Sequence, residues 1–558
     1  MGLIHTLTEG GQLSTHSLRM LKQVMKIGLL VALFIWISLF LYCMSQLPPE
    51  IYQNAWYYFK AQLSTILLIN HIEVEGDFWW KLTGHRIGQN EGISVDQVLY
   101  YTKPYADYLE LASWHYIEKT GWIAGSVLLF IFLFFFIRGR FSAKKQHIAG
   151  NQISSVWRLA LRLRITRQAS PLHLGKLPLV KGTETQHVLV TGGTGTGKTN
   201  CFHHLLPQIR SQNQRAIIID TTGAFVERYY REGIDIILNP FDPRGAPWHP
   251  WIECQDKFDY EALSESFIPQ TSSEQDNYWH TAARALFSSI LIKLEPYQKI
   301  SEVTQWMLYE PLPKLAAFVQ GTKAASHLDL NSERTAGSVR SVASSFLGCL
   351  EFISDTPTPF SIRDWVRSGR EGSWLFLSCK PSQRSALNPL LSCWFSVAMR
   401  SLFLLEPDFK RRLWFVIDEL PTLHRLKDLE SFLSESRKYG GCALLALQSP
   451  SQLDAIYGQQ ITRTIMGNCG TKIVFAEQDP EIAVRISKAF GEREIKEYQK
   501  GLSYGANDIR DGVNLTLQTR QQPLISSTAI QFLKKNQAFV RLPGNLPVTQ
   551  IKLNIAKV

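Results

Sequence analysis

The sequence predicts an α/β nucleotide-binding fold preceded by two membrane-spanning helices, on three observations. A glycine-rich stretch, Gly192-Gly-Thr-Gly-Thr-Gly197-Lys198-Thr199, stands between a short apolar strand and a helix-like segment. A second strand pattern, starting at Arg412, ends in two carboxylates, Asp418 and Glu419. Two uncharged apolar runs, Ile27–Met44 and Gly121–Ile137, lie upstream of both.

The apolar runs come first in the chain. At 1.5 Å rise per residue, an 18-residue helix over Ile27–Met44 reaches roughly 27 Å, close to the hydrocarbon thickness of a bilayer. That run is longer than the apolar region of a signal peptide, and no small-x-small cleavage pattern follows closely. Gly121–Ile137 has similar reach and no polar face, unlike a core helix. Arg19, Lys22 and Lys26 precede the first run, and Arg138, Arg140, Lys144 and Lys145 follow the second. The loop 45–120 holds nine acidic and five basic residues. The lysine and arginine bias predicts both termini on the cytoplasmic side of the membrane, with the loop on the other side. A strand-like piece (Ile72–Val74) and a helix-like one (Ala106–Tyr116) are expected within that loop.

Net charge is +11 over 558 residues, which suits contact with polyanions without specifying one. From Arg138 to Lys181 there are ten basic residues and no acidic one. That stretch reads either as a juxtamembrane patch on anionic headgroups or as a nucleic-acid-facing surface. The eight cysteines form no CxxC pair and the 45–120 loop has none, so a disulfide framework is not expected.

His187–Thr191 is the strand that enters the glycine-rich stretch, and Asn200–Gln212 is the helix that leaves it. This is GxxxxGK[ST] in strand–loop–helix context. Gly192, Gly193, Thr194, Gly195, Thr196 and Gly197 let the backbone curl so that successive N–H groups face phosphate oxygens. The helix N-terminus adds partial positive charge. Lys198 is placed to reach the outer phosphates of ATP, and Thr199 to offer its hydroxyl to Mg²⁺. Such a loop needs an acidic partner at the end of another buried parallel strand. Asp418 is expected to hold the Mg²⁺ shell, and Glu419 to polarise the attacking water. Ile217–Asp220 is a rival acidic strand end, read as a neighbouring strand. Leu444–Leu447 is a further strand ending at Gln448, whose amide can sense the terminal phosphate or the attacking water, or close the strand as an ordinary polar residue. The helix expected over Lys427–Tyr439 puts Arg437 at the edge of an apolar stripe of Leu426, Leu429, Phe432 and Leu433. There it is either a cation favourable at a helix C-terminus or an arginine finger presented to a neighbouring subunit.

These motifs resemble the type IV coupling proteins of bacterial conjugation, in particular the TraD-type branch of F-like plasmids. Glu9-Gly-Gly-Gln12, Ile362-Arg-Asp-Trp365, Asp418-Glu-Leu-Pro-Thr-Leu-His-Arg-Leu426, Arg437-Lys-Tyr-Gly-Gly441 and Gln448-Ser449 carry the likeness. So do Ser503-Tyr-Gly-Ala506 and Arg510-Asp-Gly512. The resemblance implies a RecA-like P-loop ATPase with an inserted all-α domain, working as a homohexamer. Lys198, Asp418, Glu419, Arg437 and Gln448 then match positions of nucleotide chemistry, with Arg437 as the finger. Implied partners are transfer DNA, the relaxase and its relaxosome, and the components of a type IV secretion channel. Domains are expected at 1–147 (membrane), 148–251 and 361–558 (ATPase), and 252–360 (all-α, with helices near Asp276–Leu294, Val303–Val319 and Ser332–Leu350). Ala538–Leu542 looks like the last core strand, with Val558 soon after, so recruitment by the acidic C-terminal tip of F-type members is not expected. Two other functions fit parts of the pattern: a coupling protein for protein effectors only, and an FtsK-like chromosome translocase. The second would usually bring four spans and a winged helix, and neither is evident.

Overall fold

The computed structural model describes residues 3–88, 92–142, 146–271, 274–328, 333–503 and 512–556. The chain divides into two compact units, residues 1–146 with 497–518 and residues 147–496 with 519–558.

In the first unit both apolar runs lie inside much longer helices, Leu3–Ser45 and Val95–Ser142. The helix expected over Ala106–Tyr116 is therefore one stretch of the second long helix. Two stretches, Leu21–Ser45 and Val95–Arg138, are long and apolar enough to cross a membrane, and only 11% of each apolar window is buried within the protein. Apolar side chains left outward on that scale are unlike those of a core helix, which hides them. Between the two lie the helices Pro49–Ile66 and Gly76–Thr83 and an antiparallel strand pair, His71–Ile72 with Ile93–Ser94. Tyr57, Phe78, Trp79 and Ile93 bury a small core there, with Tyr57 and Phe78 stacked at 4.4 Å.

The second unit is organised by a ten-stranded sheet. Its strands in chain order are β1 (Ile153–Ser154), β2 (Val188–Thr191), β3 (Arg215–Asp220), β4 (Ile236–Leu238) and β5 (Trp374–Ser378). They continue with β6 (Leu413–Ile417), β7 (Gly441–Leu447), β8 (Thr471–Val474), β9 (Gln537–Arg541) and β10 (Val548–Lys552). The spatial order is β1-β10-β9-β8-β2-β7-β6-β3-β5-β4. From β8 to β4 every pairing is parallel, and β9 runs antiparallel to both β8 and β10. Parallel strands covered on both faces must be apolar throughout, and β2, β6 and β7 are buried at every residue.

Alternation sorts those residues between two cores. Trp414 and Val416 face the side on which Phe202 and Leu205 of the helix Lys198–Ser211 pack. Leu413, Phe415 and Ile417 face the other side, against Leu391 and Phe395 of the helix Arg384–Phe403. Between β4 and β5 the described residues form helices and no strand; the longest are Lys257–Phe267, Glu274–Lys293 and Glu333–Leu347. Their buried faces join the second core directly.

Three local expectations need correction. The helix expected over Val303–Val319 is broken: a π-turn, Gln305–Tyr309, ends at extended Glu310, and Leu312–Phe318 starts afresh after Pro311. Proline lacks the N–H that would continue the ladder and drives the preceding residue out of the helical region. Ala538–Leu542 is not the last core strand, because Val548–Lys552 pairs with it in antiparallel fashion. The helix expected over Lys427–Tyr439 is α-helical only over Leu429–Glu435 and tightens to a 3-10 turn over Ser436–Tyr439. Gly440, at φ 80°, then turns the chain into β7. Residues 504–509 and 511 of the Ser503–Gly512 motif pair lie outside the described residues, as does Arg510.

Candidate nucleotide site

The glycine-rich loop leaves β2 at the C-terminal edge of the sheet, where ligands of doubly wound folds bind. Its curl is held by the backbone. Gly193 N–H donates to the Ala476 carbonyl at 2.8 Å, and Asn536 N–H donates to the Thr196 carbonyl at 2.8 Å. Gly192 and Gly197 sit at φ 146° and 124°, and a Cβ on either would stand 2.6 Å from a neighbour, Phe475 Cβ or Asn536 Oδ1. Those two positions require glycine for both conformation and space. The helix Lys198–Ser211 begins at once, so its free N–H groups point into the same space.

β7 intervenes between β2 and β6, yet the parallel register brings all three C-terminal ends to one edge. Thr199 Oγ1 donates to Asp418 Oδ2 at 3.0 Å. Gln448 N–H donates to Glu419 Oε1 at 3.2 Å, and Thr194 Oγ1 donates to Gln448 Oε1 at 3.2 Å. Lys198 Nζ arches over the loop onto the Gly192 and Gly193 carbonyls at 2.6 and 3.1 Å. Thr194, Gly195, Gly197, Lys198, Thr199, Asp418, Glu419 and Gln448 line a cavity of about 500 Å³, while Gly192, Gly193 and Thr196 are not among its walls. Burial holds the Asp418 and Glu419 carboxyls above their usual range, against the opposing pull of the Thr199 hydroxyl on Asp418 and of the Gln448 backbone N–H on Glu419. Burial likewise lowers the Lys198 ammonium, and the Glu419 and Asp418 charges counter it. Asp418 Oδ1 is buried and takes no hydrogen bond among the described residues. An unsatisfied carboxylate oxygen beside a threonine hydroxyl is a donor set that fits a hard cation such as Mg²⁺.

The rival acid is accounted for. Asp220 Oδ1 accepts from Thr222 N–H, Thr222 Oγ1 and Gly223 N–H, and Oδ2 accepts from Val226 N–H, at 2.8–3.1 Å. It organises the turn after β3 at the wall of the same cavity.

Arg437 does not join the cavity. It is exposed on the 3-10 turn, and its guanidinium takes no hydrogen bond or ion pair among the described residues. The residue before it, Ser436, is fully buried, so the tightened turn points Arg437 outward. Sequence reasoning also missed wall residues. Lys535 and Asn536 arrive from the turn before β9, and Ile555 from beyond β10. Arg384 opens the helix Arg384–Phe403, lines the cavity and donates from Nη2 to the Thr221 carbonyl at 3.0 Å. A cation at a helix N-terminus opposes the macrodipole, which was a legible sign that Arg384 answers to something other than its helix.

Sheet order, loop and carboxylate pair define a RecA-like P-loop nucleotide-binding protein, with helices inserted between β4 and β5. A family model described as the type IV secretion-system coupling protein DNA-binding domain matches residues 171–554. The coupling protein TraD of Escherichia coli (strain K12) is 30% identical over 576 residues, covering 98% of this chain and 77% of that protein. Among solved structures, the bacterial conjugative coupling protein TrwBdeltaN70 superposes with a TM-score of 0.67 at 28% identity, covering 74% of this chain and 94% of the other. The plasmid coupling protein TrwB in complex with ADP and Mg²⁺ gives 0.66 at 28% identity, with 74% and 95% covered. The chain belongs to the type IV secretion-system coupling proteins.

Proposed function

We propose that this chain is the ATP-driven motor of a conjugation machine, linking a relaxosome to a type IV secretion channel and moving DNA from the cytoplasmic face of the inner membrane. The observation that carries the reading is the convergence of Lys198, Thr199, Asp418, Glu419 and Gln448 on one cavity in a chain of this family. The loop amides and Lys198 bind the phosphates of ATP. Thr199 and Asp418 hold Mg²⁺, which supplies charge neutralisation at the outer phosphates. Glu419 accepts the proton of the attacking water, and the Gln448 backbone N–H fixes the carboxylate that does so. Arg437, outside its own cavity, acts on the ATP of the next subunit in a homohexamer. The basic flanks of the two apolar helices support two spans with both termini in the cytoplasm. Residues 252–360 form the all-α domain inserted in the ATPase, and residues 1–147 the membrane domain.

A mating assay with a deletion strain tests the reading. Loss of plasmid transfer with relaxase nicking retained is the expected outcome. Normal DNA transfer with lost export of a protein effector would instead assign the chain to protein cargo.

A further inference from the structure

The acid-free stretch after the second apolar helix contains a helix, Val156–Ile165, that is apolar on two sides. Leu159, Ala160 and Leu163 are buried in the second unit. Trp157, Leu161 and Ile165 point away from it, at 63%, 49% and 72% exposure. Their spacing of i, i+4 and i+8 places them in one stripe along the helix. Exposed arginines bracket that stripe: Arg158 and Arg162 along one side and Arg164 along the other. The Arg158 guanidinium lies 5.2 Å from the Trp157 ring centre. A large aromatic and two branched aliphatics held outward between arginines are the pattern of a helix lying in a bilayer interface.

The chain itself restricts what can meet this face. The long helix carrying the second apolar run ends at Ser142 and this helix begins at Val156, so the link spans at most about 50 Å even when fully extended. A face tethered this closely to a membrane meets lipid at high effective concentration. Nucleic acid would satisfy the arginines and leave Trp157, Leu161 and Ile165 in water. A two-fold contact with a second copy of the helix would set arginines against arginines. An anionic lipid surface takes both parts, with phosphates for the guanidinium groups and the acyl boundary for the apolar stripe.

We propose that Val156–Ile165 is an interfacial helix that docks on anionic lipid, with Trp157, Leu161 and Ile165 among the headgroups and Arg158, Arg162 and Arg164 on lipid phosphates. The inference rests on the reading of the two apolar helices as membrane spans. Its test is hydrogen exchange, read by mass spectrometry, on the full chain in detergent, in phosphatidylcholine nanodiscs, and in nanodiscs that also contain phosphatidylglycerol. Exchange over residues 155–167 is expected to slow several-fold in the phosphatidylglycerol discs alone. The slowing should be lost in Trp157→Glu with Leu161→Glu, and reduced in Arg158→Gln with Arg162→Gln, while exchange in β2, β6 and β7 stays unchanged. Equal exchange in all three settings overturns the inference and leaves the spans standing. Slowing that follows protein concentration overturns it in favour of a contact between copies. Slowing on addition of single-stranded DNA in phosphatidylcholine discs overturns it in favour of nucleic acid. A chain that does not enter nanodiscs overturns the span reading and this inference with it.

Discussion

Thr199 and Asp418 are 219 residues apart in sequence and joined by a 3.0 Å hydrogen bond from the threonine hydroxyl to carboxylate Oδ2. The bond leaves Asp418 Oδ1 buried and unsatisfied among the described residues. Two oxygens held this way suit a hard cation, and on the proposed reading metal dependence should reside in the pair. Asp418→Asn is expected to weaken nucleotide binding in Mg²⁺ at least about tenfold while leaving binding in EDTA nearly unchanged. Thr199→Ala should do the same, and the double variant should cost less than the sum. Fluorescent-nucleotide titration with and without Mg²⁺ measures all three. Equal losses in both conditions would mean that the pair serves the loop and not a metal.

Glu419 lies on the other branch of the same strand end, with Oε1 held at 3.2 Å by the Gln448 backbone N–H. Because that donor is backbone, replacing the Gln448 side chain leaves the grip on Glu419 in place. Glu419→Gln should reduce phosphate release by about 10²–10⁴-fold with nucleotide affinity retained. Gln448→Ala removes the link to Thr194 and the side-chain pull on Glu419 but keeps the backbone bond, and should give a smaller loss. Undiminished turnover in Glu419→Gln would remove Glu419 as the base.

Arg437 is exposed, so its removal should not affect folding. Arg437→Ala assembled alone is expected to be inactive at an unchanged melting temperature. Mixed with Lys198→Ala subunits, which lack a competent loop but retain the arginine, it should regain part of the activity. No recovery at any mixing ratio would count against action across a subunit boundary.

The nucleotide site was legible where its signal is contiguous. Gly192–Thr199 and the buried strand ending at Asp418 are each a few residues long, and each imposes its own backbone requirement. Sheet order is different in kind, because nothing local in Leu413–Ile417 says that β7 lies between it and β2. The walls from Lys535, Asn536 and Ile555 were invisible for the same reason: the sheet brings them to the loop from more than 300 residues away. Asn536 reads in sequence as a turn residue, and it is one, at φ 61°. The break before Leu312 is legible in Pro311, which cannot continue the helical ladder. The 3-10 turn that carries Arg437 follows from the pair Gly440-Gly441. A Cβ on Gly440 would stand 2.7 Å from the Arg411 side chain, and one on Gly441 2.6 Å from Leu402. Only the absence of those Cβ atoms lets the chain after the helix pass so close to Arg411 and Leu402.

His187 ties that arginine-bearing segment to the sheet. Its ring is 1% exposed; Nδ1 accepts from the Ala443 N–H at 3.1 Å, and Nε2 donates to the Leu433 carbonyl at 2.9 Å. Both bonds together need the neutral ring protonated at Nε2, since a charged imidazolium has no acceptor for Ala443. Burial pushes the imidazole down to about 4, with the Leu433 carbonyl opposing. The unfolded chain, with an ordinary imidazole near pH 6.5, then binds more protons than the folded one between those values. Stability is complete above about pH 6.5 and falls as pH drops toward 4, by up to about 3 kcal/mol from this group. His187→Gln should lower the melting temperature at pH 7.5 through the loss of a buried, bonded ring. It should also shrink the further drop seen between pH 7 and pH 5. If wild type and variant lose the same amount over that interval, the acid sensitivity belongs to other groups. If the wild type alone loses it, the loss is proton uptake by the unfolded chain, and turnover of the folded protein should hold down to pH 5, because the buried ring stays neutral until about pH 4.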